Sequence, residues 1–394
     1  MSLLLAVVLH GEVDTLTINR ALERARGARP TVTAAAAAVN EARAHWQTAG
    51  TVPNPLVAYS HTGATPRQHL TIQQPFDWLF RREADRGAAA AGIDRARADS
   101  ARIMAELDGE VRRAFYGTLA ATESLRLIET EALFADSLVA ISARRLALGD
   151  IAAMDHDRVR LEAARVRQLV ARAREGVALA TLGLRRVLAW PLAAGLELRG
   201  DLRAGLTELG NERPLADLPS VAAARADSVT AAFRVKSIRR GRLPAPAIEF
   251  GADWSDPALP GGGPALWLFG LSLPLPVWNR SGGELAAAAA RSVQANTQLA
   301  ETRLAIDQQV AEAALRVRQA ALRALVAADS LVPAGRRLRA QVVLAYRLGE
   351  TGVLPVLDAL RAEREIESAA LEDLLAFQEA RALWYALVGS GDSR

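Results

Sequence analysis

Two periodicities run along the chain, and each occurs twice. Across 281–348, Leu299, Arg303, Ile306, Val310, Ala313, Val317, Ala320 and Ala324 recur in alternating steps of four and three, with Arg303 the polar exception. Ile128, Ala132, Ala135, Val139, Ser142 and Leu146 repeat that spacing within 79–148, with Ser142 the exception. Such spacing places side chains on one helix seam, and alanine in the seam lets helices approach closely. A second stripe, Leu304, Leu315 and Leu322, falls on another face. A helix with two apolar stripes needs neighbours on both sides, as in a ring of helices. A helix of about 70 residues extends about 105 Å at ~1.5 Å per residue. The expectation is a rod of helical hairpins.

The other period is two. Ile248, Phe250, Ala252 and Trp254 alternate with Ala247, Glu249, Gly251 and Asp253. Trp267, Phe269, Leu271 and Leu273 alternate with Gly270 and Ser272, and Leu70, Ile72 and Phe76 with Thr71 and Gln73. One apolar and one polar face is the pattern of a half-buried sheet. Segments 53–62, 68–78, 244–254 and 264–278 are read as strands.

The order helix, strand, strand, long helix, turn, return helix is therefore written twice, which is an internal duplication. The first repeat is 14–190, with long helix 79–148 and return helix 150–190. A Gly-rich linker, 191–214, leads to the second, 215–389, with long helix 281–348 and return helix 353–388. Residues 1–13 are read as the remnant of a secretory signal or as an apolar segment that packs, and 390–394 as a tail. Leu148-Gly149-Asp150 ends the first long helix and Leu348-Gly349-Glu350-Thr351-Gly352 the second. Glycine permits the helix-ending turn, and the acid complements the next helix's N-terminus. Pro333-Ala334-Gly335 is read as an interruption of the second long helix.

Four strands cannot close a membrane barrel, which needs about eight, and an open edge is excluded in lipid. Three copies would supply a twelve-stranded barrel and a closed ring of helix pairs. The lipid-facing candidates are Ile72, Phe76, Ile248, Phe250, Trp267, Phe269, Leu271 and Leu273. Trp78, Trp254, Trp267 and Trp278 stand at strand ends and suit the lipid–water boundary. The alternative is a soluble coiled-coil scaffold, or a periplasmic adaptor, with two hairpins at one end. No run of apolar residues is long enough for a transmembrane helix.

Composition narrows the chemistry. The chain is 51% hydrophobic but only 5% aromatic, as expected of long helices. It has no cysteine, which excludes disulfides, thiolate metal sites and a cysteine nucleophile. Its 48 basic and 44 acidic residues give a net charge of +4, interspersed as on solvated helices, so nucleic acid is not an expected partner. No Gly-x-Ser-x-Gly, His-Glu-x-x-His or phosphate loop is present, so neither enzyme activity nor a cofactor is expected. Asp155-His156-Asp157 invites a metal, but residues two apart do not share a helix face. A solvated helix start is the plainer reading.

The run Gly270-Leu271-Ser272-Leu273-Pro274-Leu275-Pro276-Val277-Trp278-Asn279-Arg280-Ser281-Gly282-Gly283-Glu284 resembles the strand-to-helix signature of the TolC-type outer-membrane efflux proteins. Tyr346 to Ala359, with its Val356-Leu357-Asp358-Ala359 end, resembles that family's second helix tip. The resemblance covers about 14–389. It implies a mainly α fold with a small β part: a homotrimer whose membrane β-barrel continues into a long periplasmic α-barrel. It implies a passive exit duct of the outer membrane, joined through a periplasmic adaptor to an inner-membrane pump such as an RND-type transporter. Asp358 is then the candidate for the pore constriction, against the plainer reading of an acid complementing a helix dipole. Pro355 stands where some relatives carry a second acid. Leu148, Gly149, Asp150, Leu348, Gly349, Glu350 and Thr351 are the candidates for adaptor contact. Cargo is open among metal ions, small molecules and proteins.

Overall fold

A computed structural model describes residues 15–206, 218–255, 260–275, 278 and 280–388. The N-terminal segment 1–13, the linker's end, residues 256–259 of the second loop, Pro276, Val277, Asn279 and the tail 390–394 lie outside the described residues.

The chain is mainly helical with a small β part. Helices α1 (Ile18–Ala28) and α2 (Pro30–Thr48) lead to strands β2 (Leu56–His61) and β3 (Gln68–Pro75) and to the long helix α3 (Trp78–Ala147). Helix α4 (Ala153–Val187) returns. The order then recurs: α5 (Pro219–Gly241), β5 (Ala247–Trp254), β6 (Leu266–Ser272), α6 (Gly282–Val326), α7 (Val332–Leu348) and α8 (Val353–Val388). Two short strands, β1 (Thr15–Leu16) and β4 (Glu197–Leu198), pair in parallel. The helical segment that opens the chain is divided into α1 and α2, because Pro30 begins α2 and has no N–H to continue α1.

Compact units do not follow the repeats. One unit takes its residues from 1–32, 102–213 and 308–394; the other from 33–101 and 214–307. Each unit thus draws on both repeats, and α3 and α6 contribute to both.

In the first unit, Phe115, Val111, Leu184 and Leu188 are fully buried in a cluster with Leu22 and Leu202. A second cluster joins Leu138, Val159, Tyr346, Val353, Val356 and Leu357, from α3, α4, α7 and α8. The Gln378 amide donates to the carbonyls of Leu202 (2.7 Å) and Ala204 (3.0 Å), so α8 holds the middle of the linker.

In the second unit small residues line the buried side of α3. Ala84, Ala91 and Ala98 are buried at heptad intervals on α3, a seam the sequence reading passed over because alanine fills so much of the chain. Gly87 is needed here: a Cβ would stand 2.4 Å from the Phe233 ring.

Ile306, Ala313, Val317, Ala320 and Ala324 are buried as the seam requires, whereas Arg303 is exposed. Pro333 does not break the helix. The chain passes through a π turn, Ala327–Leu331, with the Val332 N–H bonded to the Ala327 carbonyl. The widened turn absorbs the proline ring and its missing donor.

Candidate functional site

The first candidate surface is the sheet. It is antiparallel throughout, in the order β2-β3-β5-β6. Register places Val57, Ile72, Phe250 and Phe269 in one row, and Tyr59, Leu70, Ala252 and Trp267 in the next. Partners directly opposite in antiparallel strands point to one side, so these side chains share a face with Ile248 and Leu271. Phe250 packs against Phe269 (4.9 Å between centroids) and Trp267 (5.3 Å). Phe76 and Leu273 lie one residue beyond their strands; the Phe76 N–H extends the ladder to the Pro246 carbonyl at 3.0 Å.

The opposite face carries Ser60, His69, Thr71, Gln73, Glu249 and Asp253. His69 Nδ1 lies 2.9 Å from an Asp253 oxygen, and His69 Nε2 lies 3.3 Å from the Thr62 hydroxyl. The aromatic face is open: Phe269 is 82% exposed and Leu271 74%. Strands β2 and β6 are exposed along their whole length, so both edges of the sheet offer unpaired backbone groups. A contiguous exposed apolar face marks a surface that something covers.

The second candidate surface is the pair of helix tips. Gly149 and Gly349 both take left-handed backbone conformations, φ 79° and 80°. Their N–H groups donate to the carbonyls of Leu146 and Tyr346, and those of Asp150 and Glu350 to Arg145 and Ala345. Both tips are thus the same Schellman turn, for which glycine is the residue without a Cβ penalty. Leu148 and Leu348 project at 73% and 65% exposure. Asp150 and Glu350 are exposed and Thr351 half-buried. Arg145 links the tips: its guanidinium donates to the Tyr346 carbonyl at 3.1 Å and lies over the Tyr346 ring.

Asp358 stands on an exposed part of α8, its side chain 75% exposed, with Arg361 as neighbour at 3.9 Å. The Asp155-His156-Asp157 segment is engaged otherwise than in metal binding. His156 Nδ1 is 2.8 Å from the Ser142 hydroxyl, Asp155 pairs with Arg158, and Asp157 pairs with Arg160. Ser142, the polar exception in its seam, is thereby satisfied. Among the described residues no cluster of three His, Asp or Glu could hold a metal ion.

One group of residues was missed by sequence reasoning. Arg361 and Arg364, one turn apart on α8, fasten it to both α3 and α4. Arg361 donates to Glu162 at 2.6 Å, and Arg364 to Glu131 at 2.7 Å. On the same stretch, Arg339 of α7 holds Glu363 at 2.9 Å. The Glu162, Glu363 and Glu131 side chains are only 5%, 8% and 14% exposed. Burial pushes the Glu131 and Glu363 carboxyls up despite their arginines. Burial also acts to raise Glu162, but the Arg361 hydrogen bond and the Arg361, Arg364 and Arg165 charges outweigh it and hold this carboxyl below its ordinary value. Glu162 therefore stabilises the fold above the ordinary carboxylate range, and that contribution is lost as pH falls through its lowered pKa. The partners are 199 and 233 residues apart. In the sequence these charges look like any solvated pair.

Among the described residues, no helix is long and apolar enough to cross a membrane. A mainly helical chain with one small four-stranded antiparallel sheet has the fold of the TolC-type outer-membrane channels. A membrane protein from Pseudomonas aeruginosa superposes with a TM-score of 0.79 at 18% identity, over 94% of this chain and 92% of that one. CusC, whose crystal structures concern transmembrane channel formation, gives 0.78 at 16% identity, over 95% and 92%. The cobalt-zinc-cadmium resistance protein CzcC of Cupriavidus metallidurans is 23% identical over 352 residues, 88% of this chain and 83% of that protein. No protein-family model matches the chain.

Proposed function

We propose that the chain is one protomer of a homotrimeric outer-membrane exit duct, a passive conduit without catalysis. Its helices would extend into the periplasm and meet a periplasmic adaptor, and through it an inner-membrane pump such as an RND-type transporter. The observation that carries this reading is the sheet: four strands, one exposed aromatic face and two unpaired edges. Lipid can cover the face but cannot satisfy the edges. Copies of the chain can, by pairing β6 of one with β2 of the next until the barrel closes. The exposed stripe Leu304, Leu315 and Leu322 on α6, each more than half exposed, gives the helices a matching surface for a second copy.

The chain has no native cysteine, so pairing can be tested directly. With Val57→Cys on β2 and Phe269→Cys on β6, a short bis-maleimide is expected to link membrane-extracted protein into dimers and trimers. Recovery of monomer alone, soluble without detergent, would favour the scaffold reading instead.

The twin tips form the periplasmic end, with Leu148, Gly149, Asp150, Leu348, Gly349, Glu350 and Thr351 as the adaptor contact. Three copies of Asp358 brought together would repel one another and attract cations. Asp358→Asn is expected to weaken block by polyvalent cations in single-channel recordings; undiminished block removes Asp358 from the constriction. The resemblance to CzcC favours divalent metal ions as the cargo class.

A further inference from the structure

The end of the sheet nearest its helices carries a cationic rim. Residues 234–242 hold Arg234, Lys236, Arg239, Arg240 and Arg242 without one acid, in a chain that elsewhere intersperses both signs. Lys236 and Arg240 converge on Glu83, each at 2.7 Å. Among the described residues, no ion pair or hydrogen bond engages the side chains of Arg239, Arg242 or Arg280, all three exposed.

Arg242 and Arg280 belong to one cavity of about 360 Å³, whose other walls include Leu243, Pro244, Pro274 and Leu275 and, among the described residues, no carboxylate. Its position follows from register: Ala247 pairs with Ser272, so 243–246 and 273–275 leave the sheet side by side at the same end. Leu243 is 50% exposed, Leu275 65%, and Trp278, three residues further along the chain, 95%. Two unpaired guanidinium groups beside exposed leucines form an amphiphilic pocket. Guanidinium presents a planar fork that matches phosphate oxygens. The leucines offer the apolar surface on which acyl chains begin, and tryptophan favours that depth of a bilayer.

We propose that Arg242 and Arg280, with Leu243, Leu275 and Trp278, bind the headgroup of an anionic phospholipid in the inner leaflet. The proposal rests on reading the sheet as part of a membrane barrel. A free phosphate would use the arginines but leave the leucines and the indole in water. A zwitterionic lipid would bring a third positive charge to a pocket that already holds two and, among the described residues, no acid.

The test uses the full-length channel in nanodiscs of phosphatidylethanolamine alone, or of equal parts phosphatidylethanolamine and phosphatidylglycerol, with retained lipid read by native mass spectrometry after extraction. The intact protein is expected to retain phosphatidylglycerol preferentially. Arg242→Gln with Arg280→Gln is expected to lower that preference about fivefold per arginine while still fractionating with the outer membrane. Arg242→Lys with Arg280→Lys, which keeps the charge, is expected to retain part of it. Unchanged preference in the Gln variant overturns the proposal, as does displacement of the lipid by inorganic phosphate. Failure of the unaltered protein to enter membranes defeats the duct reading and the lipid site together, and is told apart by fractionation alone.

Discussion

Replacing Arg364 with leucine is expected to lower the unfolding free energy by about 3–5 kcal/mol, because removing one partner of a buried ion pair leaves the other charge without compensation. The uncompensated group is Glu131, a carboxylate of α3 whose side chain is 14% exposed and whose pKa burial already raises. Arg364 also lies 3.6 Å from Glu162, so its loss leaves that carboxylate to Arg361 and Arg165. Chemical unfolding followed by circular dichroism would measure the effect. Arg364→Leu combined with Glu131→Leu is expected to recover most of the loss, since replacing a buried pair by apolar residues is often nearly neutral. A single variant as stable as the parent would mean that the network carries no net energy.

Phe269→Arg is expected to impair insertion by about 2–4 kcal/mol per copy, the cost of a cationic side chain at the lipid midplane of a barrel. Phe269 lies mid-strand, packs edge-on against Phe250, and is 82% exposed on the aromatic face. Thr71→Arg, on the opposite face of the same sheet, is the matched control and is expected to insert normally, because a polar lumen solvates the charge. Outer-membrane fractionation of the two variants reads the difference. Equal insertion of both would show that the aromatic face does not meet lipid.

The two turns were legible because their chemistry is local. A leucine, a glycine in left-handed conformation and an acid specify a Schellman turn within six residues, and both copies form it. The strands were legible for the same reason, since alternation of Ile248, Phe250 and Ala252 with Glu249 and Gly251 survives into the register of the sheet. The limits appear where geometry accumulates over distance. Arg303 fits a heptad on paper and is exposed between half-buried Leu299 and buried Ile306. Pro333 predicts a break, and a π turn accommodates it instead.

The sequence by itself determined the main kinds of element and their order: long helices, the four strands of the sheet, three of them marked by alternation, and two equivalent tips. These depend on the intrinsic period of the backbone and on neighbours a few residues away. Only the tertiary structure decided which charges are buried together, as in Arg361 with Glu162 and Arg364 with Glu131, and that the compact units cut across the repeats. Those choices are made by helix faces meeting, and a face acquires its partner only when segments some two hundred residues apart pack against one another.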